Sequence, residues 1–226
     1  MPDKRPTVQG FTLIEMTLVL VIVALLSGGL LTGLSAQQQS ANEQAARLQL
    51  ETSKEALLGF AMSQGRLPCP APANLANTAA DAGQENCTLE HGVLPWVTLG
   101  LPETDPWGQR LSYYAHNKFT GTVPAGAQAS FELATTGNAN IKNSAGAGYD
   151  IASLLPAVIV SHGRRGAGGY LPNGLKQPGS SGEELENSDA DTTFIAHVPN
   201  DNFDDHVAWI IPTILKARLV AVGRLP

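Results

Sequence analysis

The chain has 226 residues, 43% of them hydrophobic and 15% charged, which supplies one moderate core and something extra, and excludes a disordered tail. Its 14 basic and 20 acidic residues leave a net charge of -6, so a protein built to neutralise nucleic-acid phosphates is excluded and no nucleic-acid partner is expected. The 23 glycines and 15 prolines predict many turns, as in a small sheet domain with long loops rather than a helix bundle.

At the N-terminus, Lys4 and Arg5 precede an apolar stretch, Met16 to Leu34, that contains no charged side chain. At about 1.5 Å per residue, a helix of that length nearly crosses the hydrocarbon core of a bilayer. The next basic residue is Arg47, so the positive-inside bias keeps the first residues cytoplasmic and sends the rest outward. One acid stands at the head of the run: Glu15, in the segment Gly10-Phe11-Thr12-Leu13-Ile14-Glu15. A carboxylate near lipid costs a few kcal/mol and asks for a partner. Beyond the apolar stretch, Gln37 to Gln64 has no proline and no glycine before Gly59, and Glu43, Arg47 and Glu51 are spaced at i, i+4. One helix is expected from Phe11 to about Met62, with Ala46, Leu50, Leu57 and Ala61 on the face that meets a globular domain. Gly28, Gly29 and Gly33 would permit close packing between helices or local unwinding, or are simply tolerated there.

The segment Gly10 to Glu15, with its short basic leader and apolar helix, resembles the class III signal of type IV prepilins and type II secretion pseudopilins. In that family a membrane-embedded prepilin peptidase cuts after the glycine and methylates the new amine. The resemblance implies a leader at 1–10, cleavage between Gly10 and Phe11, N-methylation of Phe11, and Glu15 as the acid that pairs with the α-ammonium of a neighbouring subunit during assembly. A residue without Cβ at position 10 lets a peptidase approach the backbone closely. An ordinary secretory signal peptide, cut near Gly33 and Ser35, is disfavoured by an acid inside the apolar run; a generic single-pass anchor is the other alternative. The expected division is then the membrane half of the helix at 11–36, an amphipathic periplasmic half at 37–64, and a globular periplasmic domain at 65–226.

From Leu67 onward, Pro68, Cys69, Pro70 and Pro72 end the helix and open an extended loop. Cys69 and Cys87 have 17 residues between them, a spacing that fits neither a C-x-x-C redox pair nor a zinc knuckle. A disulfide in an oxidising compartment is the simpler reading, against two unpaired thiols in a reducing one. Strands are expected at Val93 to Val97, Arg110 to Ala115, Ser130 to Thr135, Pro156 to Ser161, Thr193 to Val198 and His206 to Ile211. Pro212 starts a final helix with Ile214, Leu215, Leu219 and Val222 inward and Gly223 at its cap. The expected fold class is α+β, a long N-terminal helix on an antiparallel sheet, as in pilins.

Asp105, Pro106, Trp107 and Gly108 have the preferences of a type I turn that feeds the strand containing Tyr113. These four residues resemble the D-P-W-G turn of type II secretion pseudopilins. The chain is longer than the major pseudopilin and carries the cysteine loop, which favours a minor subunit. Its implied partners are a prepilin peptidase, other pilin or pseudopilin subunits and an inner-membrane assembly platform. A minor pilin of a type IV pilus is the alternative.

Between Glu183 and Asp205 the acids are dense, and Asp189, Asp191, Asp201, Asp204 and Asp205 offer the hard oxygens that calcium prefers. The resemblance implies calcium too, yet no EF-hand spacing is met and a solvated acidic loop is the preferred reading. The stretch Ser161 to Gly169 invites a serine-histidine or phosphate-loop site, and with it the lesser alternative of a membrane-anchored periplasmic enzyme or binding module. Adjacent Ser161 and His162 would point to opposite faces of a strand, and the glycine spacing fits no phosphate motif. The five histidines show no metal-ligand spacing. No catalytic site is expected.

Overall fold

The computed structural model describes residues 10–146, 148–179 and 181–226, with the side chains of 26–35 outside that description. The leader residues with Lys4 and Arg5, and the packing of Gly28, Gly29 and Gly33, therefore lie outside the described residues. A single helix, α1, runs Leu13–Gln64. It starts two residues later than expected because Thr12 takes the cap: the Glu15 backbone N–H donates to Thr12 Oγ1 at 3.3 Å, in the T-x-x-E pattern of a capping box. It ends before the prolines, at Gly65, whose φ of +71° no side chain would favour and whose added Cβ would meet the Gln128 carbonyl oxygen at 2.2 Å.

There follow β1 (His91–Val93), α2 (Trp96–Leu99), β2 (Ser112–Ala115), α3 (Asn117–Thr120), β3 (Ala139–Lys142), β4 (Asp150–Leu155), β5 (Ala157–Ser161), α4 (Glu183–Glu186), β6 (Thr193–Ile195), β7 (His206–Ile210) and α5 (Pro212–Ala221). The chain divides into two compact units, the first ending at Asn42 and the second Glu43–Pro226, so the later half of α1 belongs to the globular unit. In the first unit the apolar side chains from Phe11 to Leu25 are exposed. Among the described residues no helix is long and apolar enough to cross a membrane.

The globular unit is α+β. Its main sheet has the order β1-β2-β5-β7, antiparallel throughout. Tyr113, Ile159 and Ala208 are in register across β2, β5 and β7 and share one face with Ile210; there they pack against Leu50, Leu57, Leu58 and Ala61 of α1 and Leu215 and Leu219 of α5. The expected inward face of α1 is thus observed, and each such leucine contributes about 1.5–3 kcal/mol by burial. The opposite face carries Tyr114, Val158 and Val160, covered by Ala139, Ile141, Leu155 and Phe194 of a second sheet, β4-β3-β6, in which β3 and β6 run parallel.

Several expectations are corrected. Val93 to Val97 is not one strand: β1 stops at Val93, and Pro95 sets up the turn of α2. Ser130 to Thr135 forms a turn, closed by Glu132 and Thr135 through two hydrogen bonds of 3.0 Å, while Phe131 plugs into the core beside Phe119. In α5, Ile214 and the flanking Val222 are half exposed, and only Leu215 and Leu219 point inward.

The cysteines form a disulfide, Cys69 to Cys87, with Cα atoms 5.0 Å apart. Glu85 braces its loop, accepting from the Cys69 N–H at 3.0 Å and pairing with both terminal nitrogens of Arg66 at 2.7 and 2.8 Å. A second arginine, Arg110, is wholly buried under the loops. It donates to Glu103 Oε1 and to the carbonyls of Ala73, Leu75 and Pro172 at 2.6 to 3.1 Å, and lies over the Trp96 ring. Three distant loops are thereby tied to the start of β2, since a buried guanidinium needs each of those acceptors.

Candidate functional site

Two regions carry chemistry. At the N-terminus, Gly10 has ordinary backbone geometry, and an added Cβ would meet nothing within 4 Å. Among the described residues, nothing therefore demands glycine there. Phe11 follows it with a side chain 74% exposed. Glu15 occupies the first turn of α1, where the positive end of the helix favours a carboxylate, and its side chain is exposed. Gly10, Phe11 and Glu15 are thus all exposed within the first unit.

The second region lies on and behind the main sheet. Asp105 to Gly108 form the expected turn: the Gly108 N–H donates to the Asp105 carbonyl at 3.0 Å, and Gly108 takes φ +83°. Asp105 is buried, and burial raises its pKa against the opposing effect of its hydrogen bonds. Its Oδ1 accepts from the backbone of Trp107 and Gln109 at 3.0 Å, and its Oδ2 from Ser161 Oγ at 2.7 Å. The turn is therefore locked to the end of β5 beneath the sheet.

Ser161 and His162 do diverge, as their adjacency on a strand requires. Ser161 turns to Asp105, while His162 turns to the other face, where Nε2 stands 2.7 Å from Ser112 Oγ. The sheet register explains the meeting, because Ser112 pairs with Val160, two residues before His162. On the far side of the ring, Nδ1 lies 3.8 Å from Asp205 Oδ1, and neither of these buried atoms has a hydrogen-bond partner. Asp205 Oδ2 accepts from Asn187 Nδ2 at 2.9 Å, and Asn187 is itself fixed to the backbone of Ile195. Burial, and then the charge of Lys176, lowers His162 to about 4; burial raises Asp205 well above its ordinary range. Sequence reasoning missed Ser112, since 50 residues separate it from His162 and only strand pairing brings them together.

The five acids expected as calcium ligands do not form one site. Asp189 and Asp191 lie with Glu186, and Asp204 and Asp205 with Glu184, each trio offering oxygens within 4.8 Å of one another. Asp201 is in neither group. The Asp189 and Asp191 carboxylates accept from the backbone of Asp191 and Thr193 at 3.1 and 2.7 Å, so their oxygens shape the loop before β6. At the other trio the Arg165 guanidinium sits 2.5 Å from Glu184 and 3.4 Å from Asp204. A cation of the chain's own already stands among these carboxylates.

Among known proteins, residues 5–31 match the family described as the prokaryotic N-terminal methylation motif. No curated protein and no solved structure matches the chain. The motif implies processing by a prepilin peptidase and assembly with other pilin subunits. The chain carries, at residues 5–31, the signature of the prepilin-type signal of type IV pilins and pseudopilins.

Proposed function

We propose that the chain is a minor structural subunit of a type II secretion-like pseudopilus, cut after Gly10, N-methylated on Phe11, and rooted in the inner membrane with its globular unit in the periplasm. The observation that carries this reading is the helix from Leu13 to Leu25, apolar and exposed on every side. A helix hydrophobic all round needs an apolar surrounding, which lipid and neighbouring subunits supply. Glu15 is the one charged residue on that surface, and an α-ammonium created at Phe11 of an adjacent subunit offers it a partner. The disulfide supports an oxidising compartment, and the Asp105 to Gly108 turn favours the secretion filament over the pilus. Calcium is not assigned to the trio of Glu184, Asp204 and Asp205 in this reading, because Arg165 supplies the positive charge between Glu184 and Asp204.

A deletion strain tests the choice of filament. Exoproteins held back in the periplasm, with surface pili intact, are the expected result. Loss of pili with normal secretion would assign the chain to a type IV pilus as a minor pilin.

A further inference from the structure

Ser112, His162 and Asp205 stand in the order of a nucleophile, a base and an acid that orients the base, with Ser112 opening onto a cavity of about 440 Å³. Val158, Val160, Tyr114 and Phe194 give that cavity an apolar side, and Lys176 is the one lysine or arginine among its lining residues. We propose that this cavity is a hydrolytic site for small carboxylic esters, with Ser112 as nucleophile, His162 as general base and Asp205 as the positioning residue.

The geometry assigns each step. For His162 Nε2 to accept from Ser112, Nδ1 must carry the ring proton, and that tautomer sets an N–H on the nitrogen nearest the unpartnered Asp205 Oδ1. The Nδ1 to Oδ1 separation of 3.8 Å is longer than a hydrogen bond, as is common before substrate closes such a site. Burial keeps the imidazole neutral at pH 7 and so leaves Nε2 with its lone pair, while making it a weaker base than a free imidazole. Ser112 Oγ bonds to the ester carbonyl carbon as its proton passes to Nε2, and the carbonyl oxygen becomes an oxyanion in the cavity that Lys176 lines, whose ammonium donates to the Ser188 carbonyl at 2.6 Å. The bond to the alkoxy oxygen then breaks, and the alcohol leaves with the proton from Nε2. Water attacks the acyl-serine and gives its proton to Nε2. The second collapse releases the carboxylic acid and restores Ser112.

A structural hydrogen-bond network would show the same Ser112 to His162 contact but no reactive hydroxyl, and this difference decides the test. The full chain in detergent micelles is treated with a fluorophosphonate probe and assayed with p-nitrophenyl butyrate. Adduct formation mapped to Ser112, with ester turnover lost in Ser112→Ala, is the expected result. His162→Gln should slow turnover about 100-fold, the range of a general base. Asp205→Asn should lower kcat at least about tenfold with KM nearly unchanged, a split that reports positioning rather than altered cavity shape. An unlabelled Ser112 in the folded wild-type chain, under conditions that label a known serine hydrolase, would overturn the proposal, as would turnover unchanged in Ser112→Ala. If the variants do not fold, adduct mapping on the wild type decides alone.

Discussion

The segment from Gly10 to Leu25 and the globular unit from Glu43 solve opposite problems. In the first, side chains that belong in an apolar setting are exposed, an added Cβ at Gly10 would meet none of the described atoms, and the one acid stands exposed in the first turn of a helix that Thr12 caps. In the second, even a guanidinium is buried and saturated, and glycines such as Gly65 are required by contacts that a Cβ would destroy. The first region is written for partners and the second for itself. The difference teaches that a residue without an internal reason is a pointer to function, whereas a residue with many internal partners reports on stability.

Substitutions can break that division. The largest effect is expected at Gly10: Gly10→Val should leave nearly all of the chain uncut in cells that hold a prepilin peptidase, seen as a slower band on a gel, with no change in thermal unfolding. Arg110→Met should do the reverse. It strands Glu103 and three carbonyls and should cost about 3–5 kcal/mol in urea unfolding, the scale of a broken buried ion pair, while cleavage proceeds normally. Replacing Cys69 and Cys87 by serine should remove about 3 kcal/mol, the chain-entropy value for a loop of this size, again without affecting the N-terminus. The smallest effect sharpens the comparison most. At Gly59, inside α1, an added Cβ also meets nothing within 4 Å, yet Gly59→Ala should raise stability by about 0.5–1 kcal/mol and leave processing intact. Two glycines with equally open surroundings would then differ in effect, the one before α1 acting on processing and the one inside it on helix stability.

The regions also differ in how much the sequence discloses. Gly10 to Glu15, the body of α1, the turn at Asp105 and the pairing of two cysteines rest on short-range pattern or on a count of two, and all are legible along the linear chain. Strands β3 and β4 are not, because Ala139–Lys142 and Asp150–Leu155 carry polar residues and sit in a small sheet whose pairing includes a parallel pair and register shifts. Pro95 divides an apolar run that pattern alone reads as one strand. The meeting of Ser112 with His162 depends on the β2 to β5 register, a long-range fact that no local spacing encodes. The divergence of Ser161 from His162 is legible, since alternation along a strand is a local rule.

The central claim concerns the first region, and intact-mass and peptide sequencing of the chain isolated from cells with an active prepilin peptidase test it most directly. The account predicts a mature protein that begins at Phe11 and carries one methyl group on its α-amine. A mature protein that begins elsewhere, or at Phe11 without the methyl group, would contradict it.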